Sequence, residues 1–522
     1  MPALRLINVE LILPEIAMPM RFVTWGAACL AMGATCLIPL SARAQSPTRA
    51  QIQHLLRRLA FSAPPETVTG VYNSGIAAWL AAQDNWQALD DSNSELETIP
   101  TQLNGQGGYI DYNVFERIVM QHMVLTPRQL QAKLELHWLD HFAVGLQKVG
   151  DPAIQYHYDQ TVRANALGNF TTLMTAVAQE AAMLVWLDNN WNVGPVANEN
   201  FARECQQLYS TGLYQLNMDG SEKLDANGQP KLNYTQGDVQ EIAKAITGYG
   251  VVVDYTNNDP ETRFTVQYFS GNHYSGQIKF FGRVQNVPTD GTALAYVMNI
   301  VSKRPSVAPF EARELLQRFV TENPSPEYIA AIAQVWRDKQ NAPDQIAQVI
   351  NAIVNYPEFD TAYRSMPKQP AELLLGALRQ MPGMMQASQS NGPGASILWE
   401  LSTLNQQLFW PVSVFSFYRP GDLSVLTNTG SILTRTGVFA NTINGSQSNT
   451  NTDTWIDIPT LRARIGSTDA KPIRDYLLDA LLDGGSAAEQ NTLKKYLGDT
   501  PSDARLQGAI WLLLNAPDYT VN

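Results

Sequence analysis

This sequence predicts a mainly α-helical fold, multi-helical and orthogonal or bundle-like, with one small β-rich insertion. Three observations predict it. Most apolar residues recur at three- and four-residue spacing. A single stretch, 213–285, switches to alternating β-branched and aromatic residues between glycine-containing turns. The composition, 45% apolar against 16% charged, supplies enough apolar surface to bury helix faces. At 522 residues the chain is long for one core, so two or three packed subdomains are expected. The net charge of −12 and the lack of a Lys/Arg stripe argue against a general nucleic-acid binder.

The first element is a targeting segment. Arg21 is a minimal basic start, an apolar run follows from Phe22 to Leu40, and Ala42-Arg43-Ala44 closes it as a small-x-small cleavage signature. Residues 1–44 are therefore read as a signal peptide with an upstream extension, cut after Ala44, and the chain as exported to the periplasm, cell envelope or exterior. An uncleaved anchor is the competing reading, because a run of this length can span a bilayer; Gly26, Gly33 and Pro39 weaken it. After cleavage no further stretch is long and apolar enough to span a membrane. Cys29 and Cys36 leave with the signal, so Cys205 remains alone and no internal disulfide is expected.

Residues 45–212 read as an N-terminal helical region. In "TRAQIQHLLRRLAF", Ile52, Leu55, Leu56 and Leu59 share one face. "LTPRQLQAKLELHWLDHFAVG" predicts a helix capped by Thr126, with Pro127 first and Gln129 closing a capping box. From Leu173 to Leu187 the chain is apolar nearly all round, which predicts one buried central helix. The β-containing insertion spans 213–285: Asp219-Gly220 and Asn227-Gly228 predict a hairpin, Thr235 to Asp238 a helix cap, and "GYGVVVDYT", "TRFTVQYFS" and "IKFFG" strands. A second helical region, 286–365, and a C-terminal one, 366–522, follow. Two echoes cross them: "LLRRLAFSAPPETV" against "LLQRFVTENPSPEYI", and "IVNYPEF" against "LLNAPDY". The polar tract 441–454 reads as an exposed loop.

Several stretches carry a resemblance in collinear order: "HLLRRLAF", "HWLDHFAVG", "LGNFTTLMTAVAQEAAMLVWLDNN", "NENFARECQQLYSTG", "YTQGDVQEIAKAITGY", "NHYSGQIKFFG" and "WPVSVFSFYRPG". Together they resemble the bacterial domain-of-unknown-function family numbered 1800 over about residues 50–520. The resemblance implies an exported, mainly helical bacterial protein and, as a partner, an exported protein of the neighbouring family numbered 1501. It implies no activity. The chain also departs from the family pattern. Where the family has Trp-His-Asn-His-Phe, Trp138-Leu139-Asp140-His141-Phe142 stands here, with one histidine missing.

Four constellations are candidates for chemistry. His137 and His141, four apart on a helix with Asp140 between them, can turn toward one divalent metal ion, although no clear third ligand follows. Arg203 and Glu204 point about 100° apart on a helix and cannot pair with each other. They read as a charge network fastening helices, with Asp188 or Glu199 as partner for Arg203; a catalytic Glu204 raised by burial is the alternative. Cys205 reads as a buried structural thiol. Trp410, Phe417, Tyr418 and Arg419 form either a binding surface or an extended wedge into the core. No cofactor is expected. The leading expectation is a non-enzymatic envelope or extracellular binding or assembly protein. The rival is a metal-dependent or acid–base hydrolase built from His141, Asp140, Arg203 and Glu204, which requires those groups to converge in a wet cleft.

Overall fold

The structure, a computed structural model, describes residues 46–92, 112–257, 259–385, 397–418, 423–444 and 454–522. The expected signal segment and cleavage site, and most of the 441–454 tract, lie outside these. The fold is mainly helical. Among the described residues the sheets are three antiparallel pairs of strands, and no helix is long and apolar enough to cross a membrane.

Helix α1 (Arg49–Leu59) opens on a capping box, in which the Gln51 N–H donates to Thr48 Oγ1 at 3.2 Å and the Thr48 N–H to Gln51 Oε1 at 3.0 Å. Ile52, Leu55, Leu56 and Leu59 are buried as the periodicity requires, but so are Gln53, His54, Arg57 and Arg58. His54 Nε2 lies 2.8 Å from the Phe359 carbonyl, and Arg58 donates to the Ala362 carbonyl at 2.7 Å. Gln53 donates to Asp479 at 3.1 Å, and Arg57 pairs with Asp483 at 2.6 Å. A helix buried all round needs such partners for each charge.

Helix α2 (Gln129–His141) begins two residues later than the cap pattern predicts. Thr126 Oγ1 accepts from the Arg128 N–H at 3.0 Å and donates to Asp91 at 2.6 Å, so it closes a turn before the helix instead of capping it. The central helix expected over 173–187 is two helices, Phe170–Gln179 and Ala181–Trp186. They break at Glu180, which is extended and whose carboxylate accepts from Thr161 at 2.5 Å. Apolarity marked burial there but carried no signal for the kink.

Helix α3 (Asn200–Gln207) packs on α4 (Gln236–Ala245), whose Thr235–Asp238 capping box forms as predicted. Strands β1 (Tyr249–Val253) and β2 (Phe264–Tyr268) pair in register Tyr249↔Tyr268, and β3 (Ile278–Phe280) pairs with β4 (Arg283–Gln285). The hairpin of 213–234 has two tight turns, at Gly220 and Gly228, both at positive φ, and Asp219 and Asp225 accept from backbone N–H groups of those turns. One further strand pair, β5 (Gly383–Met385) with β6 (Thr454–Ile456), lies outside the predicted insertion.

The second echo marks matching structure. Helices α5 (Val307–Phe319), α6 (Pro326–Asp338) and α7 (Gln345–Asn355) end in a proline-led turn that buries Phe359. After α8 (Pro370–Gln380), α9 (Ala470–Leu482), α10 (Ala487–Leu497) and α11 (Asp503–Leu514) end in another that buries Tyr519. Ser325 and Ser486 cap the middle helix of each trio. Helix α1 touches both trios: His54 and Arg58 meet the 359–362 turn that ends the first, and Gln53 and Arg57 meet 479–483 at the end of α9, the first helix of the second. Three larger apolar clusters fill the molecule, centred on 52–362, on 115–156 with 371–409, and on 439–519. Gln45–Asn522 forms one compact unit.

Candidate functional site

A cavity of about 220 Å³ opens where α2, α5 and the start of α8 meet. On α2, His137, Asp140 and His141 recur at three- and four-residue spacing and so share a face. That face meets Phe310, Glu314, Gln317 and Arg318 of α5, again on one side of their helix. Gln369 and Glu372 of the α8 start, Gln207 and Leu208 at the end of α3, and the segment 414–418 add to the wall.

The floor is a buried charge cluster. Lys133, one turn before His137, pairs with Glu372 at 2.5 Å, and Arg318 Nη2 lies 3.6 Å from the same carboxylate. Burial alone would raise the Glu372 carboxyl, but Lys133 and then Arg318 outweigh it and hold it at about 2. Burial lowers the Lys133 ammonium to about 8, against the pull of Glu372.

The walls carry groups of the opposite tendency. Burial raises Glu314 to about 7, with Arg313 opposing, so its carboxyl gains and loses a proton near neutrality. Burial lowers the His141 imidazole to about 4, leaving it neutral there, and pushes His137 well down, with His141 and Arg318 adding to the effect. His141 Nε2 sits 3.6 Å from Glu311 Oε1 and 3.4 Å from the Tyr209 carbonyl. Glu311 is wholly buried, neither oxygen has a hydrogen-bond partner among the described residues, and burial followed by repulsion from Glu314 raises it strongly. Asp140 is raised by burial, opposed by Arg318 and by Ser416, whose Oγ donates to it at 2.8 Å. Ser416 adopts φ 61°, a region that non-glycine residues seldom enter, and Asn405 and Phe409 of the same segment do likewise. The residue that holds Asp140 from the closing segment thus carries backbone strain itself.

The structure therefore brings His137, Asp140 and His141 to one cavity and leaves Arg203 and Glu204 outside its lining. Arg203 pairs with Glu199 at 2.9 Å and donates to Gln236 of α4 at 3.1 Å, which ties α3 to α4. Glu204 is buried, its Oε2 has no hydrogen-bond partner among the described residues, and burial raises it against the pull of Arg203. Cys205 is buried and its thiol is pushed far up, the reverse of an activated nucleophile. Trp410 donates its indole N–H to Glu116. Phe417 lines a small neighbouring void, and Tyr418 lines the main cavity while its hydroxyl donates to the Leu404 carbonyl at 3.2 Å. Arg419 lies outside the described residues. The rings of His137 and His141 stand 6.0 Å apart, and among the described residues no three His, Cys, Asp or Glu side chains gather to hold a metal ion.

Sequence reasoning missed Lys133, Glu311, Glu314, Arg318 and Glu372. One signal existed: Lys133, His137, Asp140 and His141 place four polar groups on one face of a helix that is otherwise apolar or buried.

The fold and site define a multi-helical protein with a cavity between helices lined by several ionisable side chains. Residues 54–521 match the sequence profile described as "Protein of unknown function (DUF1800)", nearly the whole chain, and the protein belongs to that family. No curated protein and no solved structure matches it.

Proposed function

We propose that this chain is an exported enzyme that performs acid–base chemistry on a small polar substrate within the α2–α5–α8 cavity. One observation carries the reading: a carboxyl poised near neutrality, a neutral imidazole and a guanidinium, from Glu314, His141 and Arg318, line the same hollow. Environments that push neighbouring carboxyls apart, Glu314 up and Glu372 down, mark separate roles for two groups of one type. Glu314 delivers or removes a proton, His141 offers an uncharged ring nitrogen, and Arg318 steadies negative charge that develops on the substrate. Glu372 stays ionised as the counter-charge to the floor. Around Glu314 stand Glu311, Arg313 and Arg318 from its own helix, His137, Asp140 and His141 from α2, Glu372 from α8 and Tyr418 from the closing segment. Export rests on the apolar run 22–40 and its Ala42-Arg43-Ala44 end.

A second reading, an exported binding or assembly protein, draws on Phe415, which lines the cavity yet is 46% exposed, and on Val412 three residues earlier, 77% exposed. A panel of small esters, amides, glycosides and phosphate esters, assayed with the wild type and with Glu314→Gln, separates the two. Turnover that vanishes in the variant is expected. A cavity that binds members of the panel and turns over none of them leaves the binding reading standing.

A further inference from the structure

We propose that the cavity takes a small organic carboxylate, its negative group held at Arg318 and its apolar part against Phe310, Val414 and Phe415. The proposal deepens the reading of this hollow as a ligand site and rests on it.

The argument starts from charge. Arg318 is 9% exposed, and its Nε and Nη2 are buried with no hydrogen-bond acceptor among the described residues. The nearest carboxylate oxygen, on Glu372, stands 3.6 Å from Nη2, beyond hydrogen-bond length. Folded proteins seldom leave buried donors unpaired, and an arginine brings five N–H groups that need acceptors.

Glu372 has little left to offer. Its oxygens take the Lys133 ammonium at 2.5 Å and the Gln369 N–H at 3.0 Å. Two buried cations thus share one firmly ionised carboxylate, which leaves positive charge over at the floor. The other acids around the cavity give Arg318 no hydrogen bond: Asp140 attracts it but accepts from Ser416, and burial favours the protonated forms of Glu311 and Glu314. An anion supplies the missing acceptors and a charge that suits the guanidinium. A carboxylate fits the planar guanidinium fork, which can meet it through two parallel hydrogen bonds.

Size limits the rest of the ligand. An apolar protein cavity of about 150 Å³ accommodates benzene. The 220 Å³ here therefore suits a benzoate-sized or short-chain acid, and a polymer could enter only by one end.

The test is calorimetric titration of the purified chain with benzoate, butyrate, their neutral amides and inorganic phosphate, at constant ionic strength. Benzoate is expected to bind at least tenfold more tightly than benzamide. Arg318→Gln should abolish that preference. Val414→Trp, which fills the cavity from the closing segment, should weaken both ligands, and it keeps the test open where Arg318→Gln fails to fold. Equal or tighter binding of the amide, tighter binding of phosphate than of benzoate, no heat from either acid at millimolar concentration, or an unchanged preference in folded Arg318→Gln would each overturn the proposal. The two readings fail separately. Amide binding with Glu314-dependent turnover sinks only the carboxylate inference, whereas benzoate binding without turnover sinks only the catalytic one.

Discussion

Replacing Glu314 with glutamine removes one proton-binding group from the cavity and keeps its shape. Glu314 is raised from 4.5 to about 7 by burial, with Arg313 opposing. The folded chain therefore holds that proton more tightly than the unfolded chain does. Below pH 4.5 both states are protonated and the residue carries no penalty. Between 4.5 and 7 the unfolded state loses its proton first, so stability falls as pH rises, and above 7 the full penalty is present. The gap between the two values corresponds to about 3 kcal/mol, and cavity water that screens the carboxylate brings the expected figure nearer 2 kcal/mol. For a cooperative unit spanning Gln45–Asn522, about 1 kcal/mol moves the melting temperature by roughly 1 °C. Calorimetric melting of both proteins from pH 4.5 to 8.5 reads the difference directly. Glu372 also titrates in acid, but it is common to both proteins and cancels. The two proteins should melt together at pH 4.5, and Glu314→Gln should lie about 2 °C higher at pH 8. A gap of the same size at every pH would refute the reasoning, because it would make Glu314 an ordinary packing residue.

Four further outcomes test other parts of the structure. Lys133→Met strands the buried Glu372 carboxylate and should cost about 3–5 kcal/mol, with Lys133→Met/Glu372→Leu regaining much of it, as measured by denaturant unfolding. Arg57→Ala, which leaves Asp483 under α1 with Arg364 3.6 Å away, should cost a similar amount, about 3–5 kcal/mol, in the same assay. Arg203→Ala removes a half-exposed pair and should change stability by less than about 1 kcal/mol; a larger loss would restore that residue to importance. The Cys205 thiol should react with an aromatic disulfide reagent only at the rate of unfolding, and prompt labelling of the native chain would contradict its burial.

The helical class was legible because amphipathic spacing and capping signals are local: Ile52 to Leu59 lie buried, and Thr235 with Asp238 closes its box. The Thr126 cap was misplaced because its hydroxyl is claimed by Asp91, a partner 35 residues away that no window along the chain reveals. Half of the site was legible for the same local reason, since His137, Asp140 and His141 sit on one turn of α2. The other half is α5 and α8, which reach that face only through tertiary packing. Arg203 and Glu204 drew attention because they are charged and adjacent. Lys133 and Glu372, 239 residues apart but 2.5 Å from each other, had nothing local to advertise them.

The long-range pairing of α1 has a consequence for the order of assembly. His54 meets a carbonyl 305 residues further on, and Arg57 a carboxylate 426 residues further on. Helix α1 thus waits for two later stretches: His54 and Arg58 find their partners at 359–362, and Arg57 finds its own only at 481–483. The 52–362 core holds the partners of His54 and Arg58, whereas the Arg57 contacts wait for 481–483, and so long a span between mates makes for slow acquisition of the native state. A nascent chain truncated before residue 479 would carry Arg57 with no counter-ion to receive it.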